Sequence, residues 1–116
     1  MRLNSTGTCQ VFDGTYYSYG QQMTATYKGK MLFDSGFWSM TTRKHQAIIR
    51  SCLHGNYIEL KYADFNSGVE YSIKKEIQCL TNELEDRLTR RKTSKNLLTI
   101  DKLQDKITVL NNLLNE

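Results

Sequence analysis

The residues of this 116-residue chain whose types could do chemistry are two histidines, three cysteines and a crowded set of cations. His45 and His54 are the imidazoles, and Cys9, Cys52 and Cys79 are the thiols. Cys52 with His54 is an arithmetically available nucleophile and base, but side chains two apart on a helix point in different directions. No set of His, Cys and carboxylate residues has metal-ligand spacing, and no glycine-rich loop matches a phosphate cradle. These residues argue against catalysis, and neither a metal nor a cofactor is expected.

The cations say more. Arg87, Arg90, Arg91, Lys92 and Lys95 lie in one stretch that contains no acid. Glu83 with Arg87 and Asp86 with Arg90 are i, i+4 pairs in the favourable orientation, each worth a few tenths of a kcal/mol. Arg91, Lys92 and Lys95 have no acid within reach along a helix. Donors crowded at one helix end suit a phosphate or an acidic protein surface. A second candidate set, Trp38, Thr41, Thr42, Arg43, Lys44 and His45, sits where a strand gives way to a helix. His45 falls on that helix's apolar stripe and reads first as a core-edge histidine. Tyr16, Tyr17, Tyr19, Tyr27, Phe33, Phe37 and Trp38 crowd the preceding segment. Any of these rings on an open face beside Arg43 and Lys44 would stack on a base.

The elements that must hold these residues follow from periodicity and turn chemistry. Cys9 to Phe12, the turn Asp13-Gly14 and Thr15 to Tyr19 read as a hairpin. Gly20-Gln21 breaks the pattern before Met23 to Tyr27, and Lys28-Gly29 turns the chain into Lys30 to Phe33. This Thr- and Tyr-rich meander suits a pleated, half-buried surface. Ser39 or Thr41 then caps a helix with His45, Ile48, Ile49, Cys52 and Leu53 on one stripe, stopped by Gly55. Tyr57 to Tyr62 alternates as a further strand.

Ser67 and Glu70 read as a capping box that opens a long helix. Its seam is Val69, Ile73, Ile77, Leu80, Leu84 and Leu88. The stretch 93–96 is the expected break, after which Thr99 caps a second helix with Ile100, Leu103, Ile107, Leu110 and Leu114. Seams this narrow resemble those of coiled coils and need a matching partner. An antiparallel hairpin pairs them but leaves Leu97, Leu98, Val109 and Leu113 to be covered. Ile73, Ile77, Leu80, Leu84, Leu103, Ile107, Leu110 and Leu114 are therefore expected at an interface of a symmetric homo-oligomer.

The fold class expected is α+β: an antiparallel sheet of about four strands with one short helix between the third and fourth, then a C-terminal helical hairpin or coiled coil. A chain of this length forms one domain over 1–116, divided into a β-rich module (1–66) and a helical pair (67–116). Charged residues make up 24% and hydrophobic residues 39%, as in a foldable chain. The net charge of +4 is split evenly, with seven cations against five acids in 1–70 and nine against seven in 71–116. Only the local clustering is informative. Three cysteines without CxxC spacing and no apolar signal core or membrane-spanning run lead to an expectation of a cytoplasmic chain that does not enter a membrane.

The run from Ser35-Gly36 through Trp38-Ser39, Thr41-Thr42 and Arg43-Lys44-His45, preceded by the strand ending at Phe33, resembles small accessory proteins encoded by phages and plasmids. The likeness covers residues 28–50 and implies a hairpin leading into a helix in a mobile-element protein. Phe37 stands where such proteins commonly have a second glycine, and the helical tail is an addition. In layout alone, with Arg87, Arg90 and Arg91 on a helical pair after a sheet, the chain also looks like phage sponges that sequester the cyclic nucleotide signals of Thoeris immunity. The function expected is that of a non-enzymatic phage accessory protein of anti-defence type in the host cytoplasm. It would capture a host protein or a phosphate-bearing small molecule. A nucleic-acid-binding regulator and an oligomeric virion component are the alternatives.

Overall fold

The computed structural model describes residues 1–36 and 38–115; Phe37 and Glu116 lie outside the described residues. The elements are β1 (Cys9–Phe12), β2 (Thr15–Ser18), β3 (Gln21–Gln22), β4 (Thr24–Tyr27), β5 (Lys30–Asp34), α1 (Met40–Cys52), β6 (Tyr57–Leu60), α2 (Val69–Leu88) and α3 (Ser94–Asn115). The class is α+β, and the last two helices form a pair.

Three tight turns build the meander. In Asp13-Gly14, Tyr19-Gly20 and Lys28-Gly29 both residues have positive φ, between 50° and 79°. That is the pattern of the hairpin turn whose twist matches its strands. The expected single sheet is instead two sheets of three strands, ordered β1-β2-β3 and β4-β5-β6. The join is Met23, which is fully buried and outside both sheets. Its N–H donates to the Tyr16 carbonyl and its carbonyl accepts from the Asp34 N–H, each at 2.8 Å.

The expectation of a wholly antiparallel sheet is also corrected. β5 and β6 run parallel, Met31 opposite Tyr57 through Asp34 opposite Leu60. The reason is length: the 13 residues of α1 carry the chain back about 20 Å, roughly the length of a strand. β6 therefore starts at the end of the sheet where β5 started.

Successive β5 residues face opposite sides, as the pleat requires. Phe33 joins Cys9, Met23 and Ile49 under α1, whereas Leu32 joins Leu60, Ile73, Leu80, Leu103 and Leu110 beneath the helical pair. The mixed sheet β4-β5-β6 is thus covered on both faces.

Several caps differ from expectation. Ser39 does cap α1, its hydroxyl accepting from the Thr42 N–H at 3.0 Å. Ser67 does not cap α2: Gly68 holds the cap position at φ 135°, Ser67 donates to Asp64 at 2.8 Å and Glu70 pairs with Lys74. The helix break lies earlier than expected, α3 opens at Ser94 and the Thr93 hydroxyl accepts from the Asn96 N–H at 3.1 Å. Thr99 lies inside α3 and bonds to the Lys95 carbonyl.

The leucine seams close within one chain. Ile73, Leu80, Leu103 and Leu110 are buried, and Ile77, Leu84, Ile107 and Leu114 pack against them. These residues were expected between copies, but the hairpin occupies them with its own partner seam. Leu113 is buried as well, while Leu88, Leu97, Leu98 and Val109 are exposed.

Candidate ligand-binding cleft and basic tip

The first site is built where β5 ends and α1 begins. Asp34, the last residue of β5, is fully buried, and its two carboxylate oxygens accept from the Gly36 N–H and the Trp38 indole Nε1, each at 2.9 Å. Burial pushes the Asp34 carboxyl up to about 6, against the lowering effect of these two bonds. The Gln46 side chain from α1 donates to the carbonyls of Asp34 (2.9 Å) and Gly36 (2.8 Å), fixing the corner. Gly36 is required there because a Cβ would run into the Lys61 carbonyl oxygen.

Beside it β6 ends, and a second buried carboxylate takes over. Glu76 of α2, also fully buried, accepts from the backbone N–H of Lys61 at 3.1 Å and of Tyr62 at 2.7 Å. Lys106 of α3 lies 3.5 Å from it and balances its charge. Burying a carboxylate is tolerated when it is paired and hydrogen-bonded in this way.

Between these corners an open cleft of about 470 Å³ is lined by Ser35, Gly36, Arg43, Arg50, Glu59, Lys61 and Tyr62. A smaller recess of about 200 Å³ shares Gly36, Lys61 and Tyr62 with it and adds Trp38 and Lys75. The cleft lies outside the carboxyl ends of two parallel strands, where ligands of open α/β sheets bind. Its volume is that of a small-molecule site. Arg50 is held by Glu59 at 2.9 Å and by the Phe33 ring, 5.1 Å from its guanidinium carbon.

The second site is the turn between α2 and α3. Asn96, buried, donates to the carbonyls of Arg87 (3.1 Å), in the last turn of α2, and Arg91 (3.3 Å), in the turn that follows. Asp86 and Arg90 pair at 2.6 Å, as expected. Arg87 instead reaches across the hairpin to the Asn96 side-chain oxygen at 3.5 Å. Arg91, Lys92 and Lys95 are exposed, and among the described residues no acidic side chain lies within ion-pair distance of them.

The sequence-derived residues are therefore divided among several places. Trp38 and Arg43 line the cleft region, and Thr41 and Lys44 are exposed on α1. Thr42 and His45 point inward. His45 is 3% exposed, with Nδ1 2.6 Å from Ser18 Oγ and Nε2 3.2 Å from both Asn4 Nδ2 and Thr8 Oγ1. Burial pulls its pKa below 6.5. Cys52 ends α1 and is half-buried, whereas His54 lies exposed past the cap. The basic tip is separate from the cleft, since the 13 steps along α2 from Lys75 to Leu88 span about 20 Å.

Lys61, Tyr62 and Lys75 were not singled out as a site. The alternation of Tyr57 to Tyr62 shows only a strand, and the signal that could have found them was the βαβ length of 30–60, which favours parallel pairing. Searches against protein-family models, curated proteins and solved structures find no match for the chain. Among the described residues no helix is long and apolar enough to cross a membrane.

Proposed function

We propose that the chain is a non-enzymatic binding protein that captures a phosphate-bearing small molecule in the cleft at the ends of β5 and β6. The carrying observation is the convergence of Arg43, Arg50 and Lys61 on that one cleft, against Glu59 as the acid in its lining. Guanidinium and ammonium groups recognise phosphate through charge-assisted hydrogen bonds. Capture without turnover is the behaviour of a sequestering accessory protein, the anti-defence role implied by the likeness in layout to phage sponges, while the resemblance at 28–50 implies a mobile-element origin.

Calorimetric titration with ribose 5-phosphate and with pyrophosphate tests this reading. Binding is expected, with unaltered probe recovered on denaturation, and Lys61→Glu and Arg43→Glu should weaken it about tenfold or more. No binding, or binding indifferent to both changes, overturns it. A cleaved probe makes the protein an enzyme.

A nucleic-acid-binding role is favoured by a different feature, the five cations gathered around the α2–α3 turn. Affinity for mixed-sequence single-stranded DNA would then fall steeply with salt. It would also be lost in Arg91→Glu with Lys92→Glu while ribose 5-phosphate binding is retained.

A further inference from the structure

Two buried carboxylates on different elements each hold one aromatic residue of the same recess. Asp34 at the end of β5 bonds the Trp38 indole, and Glu76 on α2 bonds the Tyr62 backbone. Both acids are fully buried, a placement that costs stability unless every bond is made. Trp38 is nevertheless 48% exposed and Tyr62 37% exposed. The Trp38 indole and the Tyr62 backbone are anchored while neither ring is covered. Among the described residues they make no ring contact with each other, and Gly36, Lys61, Ala63 and Lys75 complete the recess they line.

From this geometry we infer that the recess receives a planar heteroaromatic ring, so that the ligand is a nucleotide with its base against Trp38 and Tyr62 and its phosphate in the Arg43, Arg50 and Lys61 cleft. The inference rests on the anion-capture reading and adds the class of ligand. Gly36, Lys61 and Tyr62 line both volumes, which sets the recess for a base next to the cleft for its phosphate. Indole and phenol faces stack on any base, and the adjoining ammonium groups of Lys61 and Lys75 donate to ring or exocyclic acceptors. The Asp34 bond leaves the indole a fixed edge and a free face, as a stacking platform requires.

Trp38 is the single tryptophan of the chain, so its fluorescence reports on this recess alone. Titrations with AMP, GMP, CMP and UMP, set against ribose 5-phosphate, decide the matter. At least one mononucleotide should quench Trp38 and bind about tenfold tighter than ribose 5-phosphate. Tyr62→Ala, which keeps the reporter, should remove most of that preference and leave ribose 5-phosphate affinity in place.

Equal affinity for all four nucleotides and ribose 5-phosphate, without quenching, overturns the base recess while leaving anion capture intact. Failure of every probe, ribose 5-phosphate included, overturns both. Should Tyr62→Ala fail to fold, the wild-type preference and the quenching remain decisive.

Discussion

The indole Nε1 of Trp38 donates to Asp34 Oδ2 at 2.9 Å, tying a half-exposed ring to a carboxylate with no exposed surface. Burial raises the Asp34 pKa from 3.8 to about 6. The folded chain therefore holds this proton more tightly than the unfolded chain does. The destabilisation from ionising it is absent below 3.8 and complete above about 6. Acidification from pH 7.5 to 5 should then gain about 1.4 kcal/mol of stability through Asp34, roughly half of the full effect reached below pH 3.8. His45 opposes this: its folded pKa is lowered by burial, so its contribution is lost as pH falls below 6.5. Asp34→Asn removes the first effect and keeps the second. Urea unfolding across that range should show the variant losing more stability on acidification than the wild type; parallel curves would contradict the assignment.

Glu76 satisfies the backbone N–H groups of Lys61 and Tyr62 and carries the charge that faces Lys106. Glu76→Ala should destabilise the chain by about 3 kcal/mol or more, because buried donors and a cation lose their partner together. Chemical denaturation measures it. Glu76→Gln, keeping one acceptor oxygen, should cost less. A loss under 1 kcal/mol for the alanine variant would show that water replaces the carboxylate.

Gly36 lies against the Lys61 carbonyl with no room for a methyl group. Gly36→Ala should destabilise by about 1–3 kcal/mol through overpacking and should push the ends of β5 and β6 apart. Thermal unfolding reads the first effect. Reduced affinity for ribose 5-phosphate reads the second.

Asn96 ties the Arg87 carbonyl at the end of α2 to the Arg91 carbonyl in the turn beyond it. Asn96→Ala should cost about 1–2 kcal/mol and raise amide exchange around residues 87–96. By contrast, Arg91→Glu with Lys92→Glu, on exposed side chains, should leave stability within about 0.5 kcal/mol. Equal exchange in the Asn96 variant and wild type would show that the turn does not depend on this side chain.

The elements themselves were readable residue by residue. Asp13-Gly14 and Lys28-Gly29 announce turns because they tolerate positive φ, and Ser39 announces a helix start because a hydroxyl can serve an orphan N–H. The 3.6-residue recurrence of Ile and Leu after Val69 marks two helices, since each must bury one stripe. Asp86 with Arg90 was equally local. These are interactions between neighbours, and a linear string contains the neighbours.

Only the tertiary structure decided how the elements meet. Met23 divides one expected sheet into two, and α1 returns the chain so that β6 lies parallel to β5. That pairing places Arg43, Arg50, Lys61 and Tyr62 around one cleft, although 19 positions separate the first from the last. Glu76 and Asn96 look in the string like surface residues, because charge and polarity ordinarily go to water. Their burial has meaning only beside the backbone groups they satisfy. The string determined which surfaces each element had to bury, through side-chain period and turn geometry; the packed fold decided which surfaces met, because that choice depends on contacts between residues far apart in the chain.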